Sequence, residues 1–172
     1  MIEIKLVDIT EIDEKNFLEY INEWKENHEA IFPSVCEQNE KSYKDWIKQQ
    51  FPLLNNETKS KDLVSSETFF LVEDNGYIIG AIDLRYDLTP EALKHEGHLS
   101  FGVRPAERRK GYAFIMLKQS LNTLRLNRVN KALITTNREN KAAKNTIKKI
   151  GGKLENSYEM KGNVIERYWV EL

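Results

Sequence analysis

The chain has 172 residues, enough for one domain with a real core, and is 40% hydrophobic and 31% charged, as an ordinary globular protein is. No apolar run approaches the ~18 residues of a membrane span, and a single cysteine, Cys36, excludes an internal disulfide and fits a reducing cytoplasm. The net charge of −1 is unevenly placed: residues 101–150 hold 13 Lys and Arg against 2 Asp and Glu, a local +11, and the remainder carries −12. An anionic partner for the basic segment follows.

Residues 2–9 alternate like a strand and lack a signal peptide's apolar core. Thr10 and Asp13 have capping-box spacing, and the helix after them carries Phe17, Ile21 and Trp24 on one stripe. Pro33 and Cys36 sit in a loop. A second helix is predicted from Ser42 to about Phe51, with Tyr43, Trp46, Ile47 and Phe51 inward. Residues 55–66 are polar and read as an exposed connection. Strands at 69–72 and 77–84 flank Asp74-Asn75-Gly76, a hairpin signal. The segment 87–96, with Pro90, reads as a loop with at most one helical turn.

A strand at 97–103 then runs into the basic turn Arg104-Pro105-Ala106-Glu107-Arg108-Arg109-Lys110-Gly111. An amphipathic helix follows to Leu126, with Ala113, Met116, Leu117, Leu121 and Leu124 on its core face. Backbone N–H groups at such a helix start lack partners, and small residues at 111 and 113 let a ligand approach the backbone. Three adjacent cations complete a turn suited to a pyrophosphate. Lys131 to Thr136 is an apolar strand, Asn140 to Ile150 a helix closed by Gly151, and strands at 153–160 and 164–171 flank a turn. The order β-α-α-β-β-β-α-β-α-β-β predicts an α/β (α+β mixed) chain. Its central, mixed, mostly antiparallel sheet has about seven strands, with helices on both faces and no linker to a second domain. The three histidines (His28, His95, His98) and Cys36 lack metal-ligand spacing, so no metal is expected.

The stretch Arg108-x-x-Gly111-x-Ala113 matches an acyl-CoA signature, R/Q-x-x-G-x-G/A. It follows a strand ending Val-Arg-Pro and opens an amphipathic helix. About 25 residues later, Thr135-Thr136-Asn137-Arg138-Glu139-Asn140-Lys141-Ala142-Ala143 resembles the strand and N-x-x-A helix of the same family. Element order matches along nearly the whole chain, which therefore resembles the GNAT superfamily of acyl-CoA-dependent N-acetyltransferases. Ile82-Asp83-Leu84-Arg85, Gly97-His98, Val103-Arg104-Pro105 and Gly151-Gly152 are similar to a bacterial subgroup known as predicted acetyltransferases, which brings no substrate with it.

The resemblance implies one domain over residues 1–172 and acetyl-CoA as cosubstrate. Amides of Arg109, Lys110, Gly111, Tyr112 and Ala113 would hold the pyrophosphate, aided by the Arg108 and Arg109 side chains. Phe101, Gly102 and Val103 would line the pantetheine arm, with Thr136 nearby and Asn140 bonded to it. The Val103 amide would stabilise the oxyanion, in a gap between the strands at 97–103 and 131–136. A homodimer is common in the family. The acceptor would be a primary amine of a small molecule or a protein.

The family's usual proton donor, a tyrosine seven residues after the Asn, falls on Ile147, leaving Tyr112, Tyr158, Tyr168 or a water. For the base, His98 is the first candidate, with Asp83 and Glu96 as rivals. His98 could instead bond at a strand start, and Asp83 could pair with Arg85. Cys36 reads as packing or as part of an acceptor pocket formed by residues 25–60. Glu29, Glu37 and Glu40 there could meet a cationic amine. The alternatives are a non-catalytic acyl-CoA-binding module and a nucleic-acid binder. The latter lacks a recognised reading motif, and no nucleic-acid or membrane partner is expected.

Overall fold

The computed structural model describes residues 3–55 and 66–172. In chain order the elements are β1 (Ile4–Asp8), α1 (Glu14–Glu26), α2 (Tyr43–Asn55), β2 (Ser66–Glu73), β3 (Ile78–Arg85), α3 (Pro90–His95) and β4 (Leu99–Val103). They continue with α4 (Tyr112–Leu126), β5 (Lys131–Asn137), α5 (Lys141–Lys149), β6 (Lys153–Met160) and β7 (Asn163–Glu171). The exposed connection read at 55–66 falls almost wholly on residues outside those described, as does the inward position of the Phe51 side chain.

Two local readings change. The cap of α1 is Asp13 itself, whose Oδ1 accepts from Asn16 N at 2.8 Å, while Thr10 lies in a preceding 3-10 turn capped by Asp8. The segment 87–96 holds a six-residue helix, α3. Thr89 caps it by accepting from Ala92 N at 3.2 Å, and Pro90 takes the first helical position, where its missing N–H costs nothing.

Among the described residues seven strands divide into two sheets, β1-β2-β3-β4 and β5-β7-β6, and every registered pair is antiparallel. Among the described residues no parallel pair is registered, and the two sheets meet where the residues just before β4 touch the middle of β5. There Gly97 bridges Ile134, and His98 N donates to Leu133 O at 2.8 Å. Gly97 has φ +77°, and a Cβ on it would sit 2.5 Å from Leu133 O, so only glycine permits this junction. Past the junction no registered pair joins the two strands among the described residues, and a gap opens between them.

Helices cover both faces. On one, Phe17, Tyr20, Ile21 and Trp24 of α1 and Trp46 of α2 pack on Val7, Phe70, Val72 and Ala81. On the other, Met116, Leu117 and Leu124 of α4 and Ile147 of α5 pack on Leu71, Ile82, Leu84 and Leu99. The central strand β3 is therefore buried on both faces and reads as a nearly continuous apolar run.

The smaller sheet is tied to α5 by Glu166, a buried carboxylate on β7. It accepts from Tyr168 Oη at 2.6 Å and pairs with Lys144 Nζ at 3.1 Å and Arg138 Nε at 3.2 Å. The Tyr168 hydroxyl, then the Lys144 and Arg138 cations, hold its pKa below the ordinary carboxylate value. A depressed folded pKa gives stability that is complete above the unfolded value, about 4.3, and lost as pH falls through the folded one. Glu166→Gln should therefore flatten the acid limb of a Tm-against-pH curve below about pH 4.3. Parallel limbs in the two proteins would contradict this role.

Candidate active site

β4 ends at Val103, and the chain turns through Pro105–Glu107 into α4. Arg104 anchors the turn from within. Only 6% exposed, it donates through Nε to Glu23 Oε2 at 2.6 Å and through Nη1 to Ile78 O at 3.0 Å. Its guanidinium lies 4.2 Å from the Tyr77 ring centroid, and the other Glu23 oxygen takes the Ala106 N–H at 2.7 Å.

On this support the backbone adopts φ +63° at Arg109 and +89° at Gly111. Among the described residues, the N–H groups of Arg109, Lys110, Gly111, Tyr112 and Ala113 make no hydrogen bond. A Cβ built on Gly111 would meet nothing within 4 Å, so the space before these donors is open. Left-handed residues in such a turn aim successive N–H groups at one point, and the 15-residue α4 adds the positive end of its dipole.

A cavity of about 1250 Å³ runs from this turn into the gap between β4 and β5. Phe101, Gly102, Val103, Arg108, Arg109, Gly111, Tyr112, Ala113, Thr136 and Asn140 all line it. Arg104 N donates to Ile79 O, so the alternation of an antiparallel strand turns the Phe101 and Val103 amides away from β3, toward the gap. Asn140 caps α5, its Oδ1 accepting from Ala143 N at 3.1 Å, which leaves its amide N–H groups for a ligand.

Two side chains of the turn are spoken for. Arg108 pairs bidentately with Glu29, at 2.9 and 2.6 Å, donates through Nε to Val103 O at 3.0 Å and lies 5.0 Å from the Trp24 ring centroid. The Arg108 hydrogen bonds hold the pKa of the Glu29 carboxyl below the usual carboxylate range. Lys110 turns to Glu107, at 3.0 Å. Of the side-chain cations expected at the phosphate, Arg109 is the one without such a carboxylate partner among the described residues. Glu29 is accordingly no free anchor for an amine, and Glu37 and Glu40 do not line the cavity.

Neither His98 nor Asp83 lines it either. His98 is 8% exposed; its Nδ1 accepts from Leu133 N at 2.9 Å, and its ring lies edge-on to Trp169. Burial lowers its pKa, and the lone pair a base would use is committed to the strand junction. Asp83 is 3% exposed, bonded by Thr68 Oγ1 at 2.9 Å and by Arg85 at 3.4 Å; burial raises its pKa against the Arg85 charge. In both cases the structural alternative describes the contacts. Cys36 is fully buried in the core, and Tyr168 is committed to Glu166.

Glu96 does line the cavity. Its side chain is 54% exposed, and Arg85 Nε holds Oε2 at 3.3 Å. Arg85 therefore links buried Asp83 to exposed Glu96. Beside them His95 also lines the cavity, with Nδ1 3.1 Å from Tyr158 Oη and Nε2 3.3 Å from Glu91. Sequence reading missed His95; the i,i+4 spacing of Glu91 and His95 was the available signal, hidden by the loop assigned there. Phe32 and Ser34, from the loop between α1 and α2, close the opposite wall. Among the described residues no helix is long and apolar enough to cross a membrane, and no His, Cys, Asp or Glu group could hold a metal ion.

The sequence matches the model of the Acetyltransferase (GNAT) family over residues 14–151. No curated protein matches it significantly. Among solved structures, a candidate acetyltransferase from Acinetobacter baylyi ADP1 aligns over 100% of this chain and 94% of its own, with a TM-score of 0.66 and 14% identity. A candidate acetyltransferase from Salmonella typhimurium, solved with its cofactor acetyl-CoA, aligns over 98% and 93%, with a TM-score of 0.66 and 12% identity. The spermidine N-acetyltransferase of Vibrio cholerae, in complex with CoA and spermine, aligns over 98% and 95%, with a TM-score of 0.65 and 12% identity. At such identities the likeness is one of fold.

Proposed function

The chain belongs to the GNAT acetyltransferase family, and from that premise we propose that it transfers an acetyl group from acetyl-CoA directly to a primary amine, both bound at once to a single domain of residues 1–172. The observation that carries this reading is the run of five unpartnered N–H groups, Arg109 to Ala113, at the mouth of a cavity that enters the strand gap. Open space before Gly111 fits a pyrophosphate there.

Acetyl-CoA supplies an activated acetyl thioester when bound. The chain's own groups then have separate tasks. Arg109 and the five amides hold phosphate charge; Phe101, Gly102, Thr136 and Asn140 border the arm that follows. The Val103 N–H faces the gap, where it meets the carbonyl oxygen that gains charge during attack. Glu96, in place of His98 and Asp83, takes the proton from the amine, with Arg85 orienting its carboxylate. The leaving thiol has a pKa of about 8.5, so it departs as thiolate without a strong acid. That suits the burial of Ile147 where the family's usual tyrosine stands.

That same burial favours the second reading, an acyl-CoA-binding module without turnover. Calorimetry of the full chain with acetyl-CoA, against desulfo-CoA and ATP, tests the first step. Micromolar binding of acetyl-CoA and much weaker binding of ATP are expected; no binding at moderate salt would end the proposal. Bound acetyl-CoA with no transfer across a broad amine panel would favour the module. Gly111→Val should weaken acetyl-CoA at least about tenfold, because a β-branched residue is strained at positive φ and fills the approach to the amides. Unchanged affinity would move the phosphate site elsewhere.

A further inference from the structure

The charges around the cavity speak to the acceptor. Among the described residues three carboxylates line it, and each already has a cationic partner. Glu29 holds Arg108 at 2.6 Å, Glu96 holds Arg85 at 3.3 Å and Glu107 holds Lys110 at 3.0 Å. Arg109 and Lys149, on the side of the phosphate turn and α5, have no carboxylate partner among these residues; Lys149 Nζ lies instead 4.7 Å from the Phe114 ring centroid. Phosphates answer that surplus. On the half facing the loop between α1 and α2, Glu29 is 39% exposed but held through both oxygens by Arg108, whereas Glu96, 54% exposed, is held by Arg85 through one oxygen only.

The opposite wall of that half is apolar. Phe32 is 50% exposed and lines the cavity next to Ala30 and Trp24. It is seated on Gly102, where a Cβ would fall 2.4 Å from Phe32 O. Tyr20 Oη donates to the same carbonyl at 3.3 Å and fixes the loop from behind. A large half-exposed aromatic, held in place on a glycine beside the strand gap, offers a surface for an apolar group.

We propose that the acceptor is a monoamine on an apolar body: its one nitrogen meets the unheld oxygen of Glu96, its body lies against Phe32, and among the described residues a polycation finds no second carboxylate with an oxygen unheld by a cation on that wall. The proposal rests on the acetyl-CoA reading above. A second ammonium would have to share Glu29 with the bidentate Arg108 or lose water against Phe32, and either penalises a polyamine.

The test measures thiol release by the full-length protein with 2-phenylethylamine and with spermidine, while calorimetry follows acetyl-CoA. The expected kcat/KM is at least about tenfold higher for 2-phenylethylamine. Phe32→Asp, which sets a free carboxylate on that wall, should shift the ratio toward spermidine by about tenfold or more. Phe32→Ala should lower 2-phenylethylamine use without raising spermidine use. Equal or better use of spermidine by the native chain overturns the proposal, and so does bound acetyl-CoA with neither amine modified. Absence of acetyl-CoA binding overturns the underlying reading as well, so the two failures are told apart.

Discussion

Glu96→Gln is expected to lower acetyl transfer by about 10²–10⁴-fold while leaving acetyl-CoA affinity unchanged. The carboxylate is half-exposed in the cavity, and Arg85 Nε fixes one oxygen at 3.3 Å. Glutamine keeps the shape and can still accept from Arg85, but it cannot take a proton from an ammonium. The decisive readout is the split between turnover, measured with a saturating amine, and the acetyl-CoA dissociation constant from calorimetry. A variant with native turnover would remove Glu96 from the reaction. His98→Ala serves as the contrast: it should lower stability, because Leu133 N loses its buried acceptor, and leave the shape of the pH–rate profile unaltered.

Glu23→Ala is expected to destabilise the fold by about 3–5 kcal/mol, since it strands the guanidinium of Arg104 in the interior. The Arg104 side chain is 7% exposed and that of Glu23 is 18% exposed. Removing the acid also frees the Ala106 N–H, which Glu23 Oε1 accepts at 2.7 Å. Urea unfolding followed by circular dichroism gives the number, as a fall in midpoint at constant slope. A loss under about 1 kcal/mol would mean that the pair is solvated and does not anchor the turn. Because that turn carries the five amides, acetyl-CoA affinity measured below the unfolding midpoint should fall with stability.

Local pattern decided most of the secondary structure. The stripe Phe17, Ile21, Trp24 and the stripe Met116, Leu117, Leu124 are core faces at helical spacing, and all six are buried. Asp74-Asn75-Gly76 marks the turn between β2 and β3, and Gly111 and Asn140 open α4 and α5. These signals act over a few residues, so they are written contiguously. The segment 87–96 was harder because Pro90 reads as a breaker in isolation, whereas at the first helical position behind Thr89 it starts a helix.

What neighbours in space decide could not be read that way. Arg108 sits in the acyl-CoA motif, yet its partner Glu29 is 79 residues away, and only the fold reveals that its charge is already answered. His98 lies at the expected strand start, yet its Nδ1 is taken by Leu133 N, 35 residues on. Asp83 and Glu96 are both carboxylates beside Arg85, and packing alone buries one and exposes the other. The sequence by itself determined the elements, the basic turn before α4 and the family, because backbone conformation and helix ends depend on adjacent residues. Which acid, base or cation is free to act was decided by the tertiary structure, because burial and ion pairing are set by residues distant along the chain.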